Sequence, residues 1–177
     1  DWSSDVCSSD LRSFDRAGWH FVVLDSTHPG KNGDDYTARL DEEQFAWLAT
    51  DLAGTRKETP VLVLSHIPIL SAASFLDGEN SRTGDWIVPG AWMHVDCQRI
   101  LQLFLKHPNV KLCLSGHLHL VDRVDYNGVT YLCNGAVCGA WWKGDNQQCD
   151  EGYGLVDLYS DGTFAHRYVG YGWRPRP

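Results

Sequence analysis

The apolar and polar positions of the chain divide it into alternating strands and helices, followed by hairpins. From Gly18 the run W-H-F-V-V-L-D-S predicts a strand, and its consecutive apolar residues at 22–24 mark a position buried on both faces. Residues 26–37, rich in Gly, Asp, Asn and Pro, read as a loop. A helix is predicted over residues 41–52. Asp41 is placed to cap it, Glu42 and Glu43 suit the positive end of its dipole, and Gly54 ends it. Phe45, Leu48, Ala49 and Leu52 recur on one face at i, i+3, i+4 and i+7. Pro60 precedes V-L-V-L-S, a short buried strand over residues 61–65. Residues 69–93 have no clear period and scatter Trp86 and Trp92 among Gly, Ser, Asn, Asp and Pro; a stretch this long inside a compact domain is usually functional. A second helix is predicted over residues 95–106, with Ile100, Leu101 and Phe104 facing inward and His107-Pro108 stopping it. V-K-L-C-L-S over residues 110–115 repeats the buried-strand pattern.

After His119 the period shortens. V-D-R-V-D-Y and V-T-Y-L-C flank Asn127-Gly128, the strongest short-range hairpin signal. Residues 153–159 and 163–169 flank Ser160-Asp161-Gly162 as a second hairpin. The order is βαβαβ followed by antiparallel hairpins, which predicts the α/β class. There is no internal repeat.

Composition narrows the possibilities. The chain has 177 residues, 43% hydrophobic and 21% charged, enough apolar surface for one packed domain. No apolar run approaches the ~18 residues of a membrane span. A net charge of −8 argues against a nucleic-acid polymer as partner. The opening D-W-S-S-D-V-C-S-S-D-L contains no basic residue and lacks the apolar centre of a signal peptide. It resembles the in-frame translation of a sequencing adapter. Residues 1–11 are therefore expected to be non-native, leaving residues 12–177 as the native portion. Setting those eleven aside, with their three aspartates and one cysteine, leaves 166 residues, a net charge of −5 and five cysteines.

The chemistry gathers at two equivalent places. V-L-V-L-S runs directly into His66-Ile67-Pro68, and V-K-L-C-L-S runs into Gly116-His117-Leu118-His119. Both motifs lie just past the carboxyl end of a buried strand, where open α/β sheets bind ligands. Gly116 is expected to give the sharp backbone turn. An H-x-H alone is a weak signal, but a second strand-end histidine beside it is a better one. Three imidazoles from adjacent loops suit a borderline transition metal such as Zn, Mn or Fe; the other reading is ordinary loop histidines. No Asp or Glu stands at a comparable strand end to complete a hydrolytic centre. Asp25, in L-D-S-T, reads as a turn or cap residue.

S-H-I-P and S-G-H-L-H on these strand ends resemble the last two motifs of the calcineurin-like metallophosphoesterases, and F-V-V-L-D-S-T resembles the strand after that family's third motif. The resemblance implies the carboxyl-terminal portion of an incomplete metallophosphoesterase-type α/β sandwich. It places His66 and His117 on one metal and His119 on the other, within a centre of two divalent or trivalent ions (Mn, Fe or Zn). It implies hydrolysis of phosphate mono- or diesters on a small phosphorylated substrate, with cyclic-nucleotide phosphodiesterase activity as one possibility. The family's bridging Asp, Asn ligand and catalytic His have no counterpart here. The expectation is therefore no catalytic residue within this chain and an inactive fragment of an active parent. The alternative is a noncatalytic binding module on the same fold, using aromatic loops for carbohydrate or protein contacts.

Other residues carry two readings each. His94 is either a substrate-phosphate contact or a residue that starts the second helix. His20 and His166 are expected to be structural, and His107 to sit as a favourable cation near a helix end. Trp141-Trp142-Lys143-Gly144 is either a packed loop or an aromatic wall able to stack a base or sugar. Cys97, Cys113 and Cys133 are expected in the core. Cys138 and Cys149 flank a loop, where pairing is open if the protein is exported.

Overall fold

A computed structural model describes residues 12–30, 36–76 and 83–174; the adapter-like segment 1–11 lies outside the described residues. Four parallel strands form the centre of a six-stranded sheet: β2 (Trp19–Leu24), β5 (Val61–Ser65), β6 (Val110–Ser115) and β8 (Val129–Cys133). An antiparallel strand closes each side, β1 (Arg12–Arg16) against β2 and β7 (Asp122–Tyr126) against β8, in the order β1-β2-β5-β6-β8-β7. All three predicted buried strands and both predicted hairpins form. Asn127 and Gly128 hold φ of 51° and 81°, the left-handed pair a tight two-residue hairpin needs.

Helices α1 (Glu42–Gly54) and α2 (Cys97–Phe104) cover one face of the sheet. Asp41 caps α1 as expected, its carboxylate accepting from the Gln44 amide at 2.7 Å. The buried positions of α1 are Gln44, Leu48 and Leu52, while Phe45 and Ala49 pack at the margin. Gln44 is buried because it clamps the end of β2: its amide donates to the Asp25 carbonyl at 2.5 Å and accepts from the Asp25 amide at 2.9 Å. Asp25 itself makes the expected turn, accepting from the Thr27 amide at 3.2 Å.

α2 is shorter than predicted. Asp96 spends its carboxylate on the Leu40 amide and on His94 instead of capping the helix. Its inward residues are Ile100, Leu103 and Phe104, with Leu101 at the edge of the core. The opposite face of the sheet buries Trp19, Leu62, Leu112 and Leu132 under a two-stranded ribbon, β9 (Gly152–Leu158) and β10 (Phe164–Gly170). Within the predicted loop 26–37, Thr27–Pro29 (β3) and Tyr36–Ala38 (β4) pair as a small ribbon. That ribbon carries Tyr36 to the carboxyl end of the sheet.

Candidate metal centre

Neighbouring parallel strands β5 and β6 end side by side and deliver the two histidine motifs to one place. Ser65, the last residue of β5, is buried and donates its hydroxyl to the Ile67 carbonyl at 2.7 Å, which fixes the turn bearing His66. The Gly116 amide donates to the His66 carbonyl at 3.1 Å, tying one motif to the other. His66 Nε2 and His117 Nδ1 then stand 3.2 Å apart, with the rings edge-on at 72°.

Gly116 is not where the backbone is unusual. His117 and His119 themselves adopt the left-handed region, with φ of 70° and 57°. Backbone of this kind in bulky residues costs about 1–3 kcal/mol each and tends to cluster at functional sites. The Gly116 expectation is therefore corrected: the two histidines carry the turn.

Each motif histidine on the second strand has one ring nitrogen engaged by an oxygen. His117 Nε2 is 3.1 Å from the Tyr36 hydroxyl, and His119 Nδ1 is 2.6 Å from the Gly139 carbonyl. With Nδ1–H donated to Gly139, His119 Nε2 keeps its lone pair. With Nε2–H donated to Tyr36, His117 Nδ1 keeps its own, on the side facing His66. This is the outer-partner pattern that orients metal-binding imidazoles. Loss of hydration on partial burial, then the neighbouring His119, lowers the pKa of His66. Burial first, then His66, lowers that of His117. Both are held in the neutral, ligating form at neutral pH.

The donor set fits the nitrogen part of a transition-metal site. Two nitrogens on one tetrahedral ion, at bond lengths of 2.0–2.1 Å, lie about 3.3 Å apart, close to the 3.2 Å between His66 and His117. His119 turns away toward the ring of Trp141, at 4.7 Å between centroids. Among the described residues, no set of three or more His, Cys, Asp and Glu is gathered closely enough to hold an ion. The structure thus brings His66 and His117 together and sets His119 beside them.

The remaining candidates separate cleanly. His94 is 2% exposed, with Nδ1 at 3.1 Å from Asp96 and Nε2 at 3.3 Å from the Ser65 hydroxyl, so it braces the core instead of meeting a phosphate. His166 meets the Asn134 side chain at 2.9 Å. His107 is not a favoured cation: partial burial, then Lys106, lowers its pKa. Cys113 and Cys133 are buried, Cys97 partly so, and Cys138 and Cys149 stand as free thiols. Tyr36 is the residue the sequence reading missed; its place beside His117 depends on the β3–β4 ribbon, which leaves no period.

No family model matches the chain. It is 28% identical over 163 residues to a 3′,5′-cyclic-nucleotide phosphodiesterase of Nostoc, covering 87% of this chain and 53% of that protein. It is 27% identical over 152 residues to the 3′,5′-cyclic adenosine monophosphate phosphodiesterase CpdA of Escherichia coli, covering 83% and 49%. The chain spans about half the length of the curated relatives it matches. Among solved structures it resembles a dimetal phosphatase from Danio rerio, with a TM-score of 0.51, 17% identity, and coverage of 71% of this chain and 49% of that one. No described helix is long and apolar enough to cross a membrane. The fold is thus the mixed α/β arrangement of a metallophosphoesterase-type dimetal phosphatase, and its sequence relatives are phosphodiesterases, both consistent with the calcineurin-like metallophosphoesterases.

Proposed function

We propose that this chain supplies the histidine half of a two-metal centre in a phosphoesterase acting on small phosphoesters, with cyclic nucleotides, named in its relatives, as the first substrates to test. The observation that carries the reading is the 3.2 Å approach of His66 and His117 from the ends of adjacent parallel strands. His66 and His117 would hold one ion and His119 the other, the ions being Mn, Fe or Zn. Such ions polarise a phosphoryl oxygen and lower the pKa of an attacking water. The chain's own residues aim the imidazoles: Tyr36 orients His117, and the Gly139 carbonyl orients His119.

The bridging Asp, the Asn ligand and the catalytic His are assigned to the parent protein beyond this chain, so residues 12–177 alone should hydrolyse nothing. Residues 1–11 are read as foreign, and sequencing the source locus tests that. The enzyme reading is tested in the complete parent with manganese, using cyclic AMP hydrolysis. His117→Ala should lower kcat/KM at least about 100-fold, beyond the 10–100-fold cost of losing a supporting partner. Wild-type turnover in that variant would overturn the assignment. If the repaired upstream sequence lacks D-x-H and G-D-x-x-D, the binding-module reading replaces it.

A further inference from the structure

A cleft of about 300 Å³ opens beside His117. Three large aromatic side chains, Tyr36, Trp92 and Trp141, line it together with Leu118, Leu120 and Asn146. Among the described residues, no charged side chain lines it. The cleft shares His117 with the candidate metal centre, so a ligand that fills it is carried directly to the two histidines.

Trp141 is the unusual wall. It is 67% exposed, with most of its indole uncovered. Its ring leans on His119 at a tilt of 37°. Trp141 and Trp142 both hold left-handed backbone, with φ of 53° and 64°. That strain persists because the loop is braced from below. The Trp142 amide donates to the Cys138 carbonyl at 2.6 Å, and the Ala140 amide to the Gly144 carbonyl at 2.8 Å. The Asn146 side-chain amide donates to the Leu118 and His119 carbonyls at 3.3 Å each, locking the loop onto the histidine motif. A rigid, strained loop that presents an indole beside histidines is shaped to stack something flat.

From this we propose that the Tyr36–Trp92–Trp141 cleft binds the nucleobase of a nucleoside phosphoester, whose phosphate then lies toward His66 and His117. The inference deepens the phosphoesterase reading and rests on it for the placement of the phosphate. Size and chemistry favour a base over the alternatives. The volume is at the lower limit for small-molecule sites, enough for one planar ring system. The absence of charge among the described lining residues disfavours an acidic or basic group, and every base offers a π-face to an indole.

The test is calorimetric titration of the purified chain with adenosine, adenosine 5′-monophosphate and ribose 5-phosphate, in wild type, Trp141→Ala and Trp141→Phe. Adenosine should bind, Trp141→Ala should weaken it about tenfold, and Trp141→Phe should restore most of that, as a single stacked base predicts. Adenosine 5′-monophosphate should bind more tightly than ribose 5-phosphate, and Trp141→Ala should erase the difference. Equal binding of the two phosphates in wild type would overturn the cleft while leaving the phosphoesterase reading intact. So would adenosine affinity indifferent to Trp141, or no binding of adenosine at all. Conversely, adenosine binding that depends on Trp141, with no gain from the added phosphate in the presence of manganese, would sustain the cleft and count against the phosphate placement.

Discussion

Two histidine sites lie at opposite ends of the parallel strands, and they behave oppositely. At the amino end, His20 near the start of β2 is buried between two carboxylates, Asp15 at 2.7 Å from Nδ1 and Asp51 at 2.8 Å from Nε2. At the carboxyl end, His66 and His117 face each other, and among the described residues no carboxylate joins them in a metal-holding group. Burial alone would lower the pKa of His20, but the hydrogen bonds to Asp51 and Asp15, with their charges, outweigh it and the pKa rises. At His66 desolvation and then the neighbouring His119 lower the pKa; at His117 desolvation and then His66 outweigh a hydrogen bond with the Ala91 backbone, and the pKa falls there too. Both nitrogens of His20 face carboxylates, so the ring is a strut joining β1 to α1 whose protonated form the fold favours. The carboxyl-end imidazoles are neutral with lone pairs to spare, which is what a ligand requires.

Activity should break the symmetry most sharply. In the parent protein, His117→Ala and His119→Ala should each remove most hydrolysis, whereas His20→Ala should leave kcat/KM within a few-fold of wild type once the protein is folded. A His20→Ala enzyme as impaired as His117→Ala would erase the distinction. Next in size is Tyr36→Phe, which removes the hydroxyl beside His117 and should weaken metal affinity about 10-fold. Metal titration of the variant measures this, and unchanged affinity would show that Tyr36 does not orient the ring.

Stability gives the converse result. His20→Ala loses two charge-assisted hydrogen bonds, about 2 kcal/mol or roughly 5 °C in Tm. Thermal melts of His20→Ala and His117→Ala should rank in that order.

The pH dependence has opposite sign at the two ends. His20, with its raised pKa, stabilises the fold below the ordinary value of 6.5, and that stability is lost as pH rises through the folded pKa. His66 and His117, lowered in the folded state, stabilise above 6.5, and their contribution is lost as pH falls below it. NMR titration of metal-free protein should therefore find His20 titrating above 6.5 and His66 and His117 below it; the same order for both ends would refute the comparison.

The smallest effect separates the two carboxylates. The Asp15 side chain is 80% exposed, so Asp15→Asn should cost no more than about 0.5 kcal/mol. Asp51, 17% exposed and also accepting from the Ser13 hydroxyl at 2.6 Å, should cost about 1–2 kcal/mol as Asp51→Asn. Chemical denaturation distinguishes them.

The central strands, both hairpins and the Asp41 cap were legible from pattern because each depends on neighbours in sequence; the meeting of His66 with the G-H-L-H motif was legible because both follow buried strands, which pair in parallel. The features that were not legible depend on distant ones. R-S-F-D-R has a single apolar residue, yet it forms β1 because the turn at Ala17-Gly18, with φ of 51° and 85°, folds it back onto β2. β3 and β4 are three residues each, too short for any period, and they decide where Tyr36 goes. Gln44 reads as an exposed polar position until its clamp on Asp25 is seen. His94 reads as a loop residue until Ser65 and Asp96 close around it. Which histidine is a strut and which a ligand cannot be read from the residue type; it depends on carboxylates that the fold brings from 5 and 31 residues away to His20.

The most direct measurement is the histidine side-chain NMR spectrum of this chain titrated with zinc. The account predicts that the ring signals of His66 and His117 shift together at the lowest zinc concentrations, His119 follows, and His20, His94 and His166 remain still. Zinc shifts that begin at His20, or that leave His66 and His117 unmoved while other histidines respond, would contradict it.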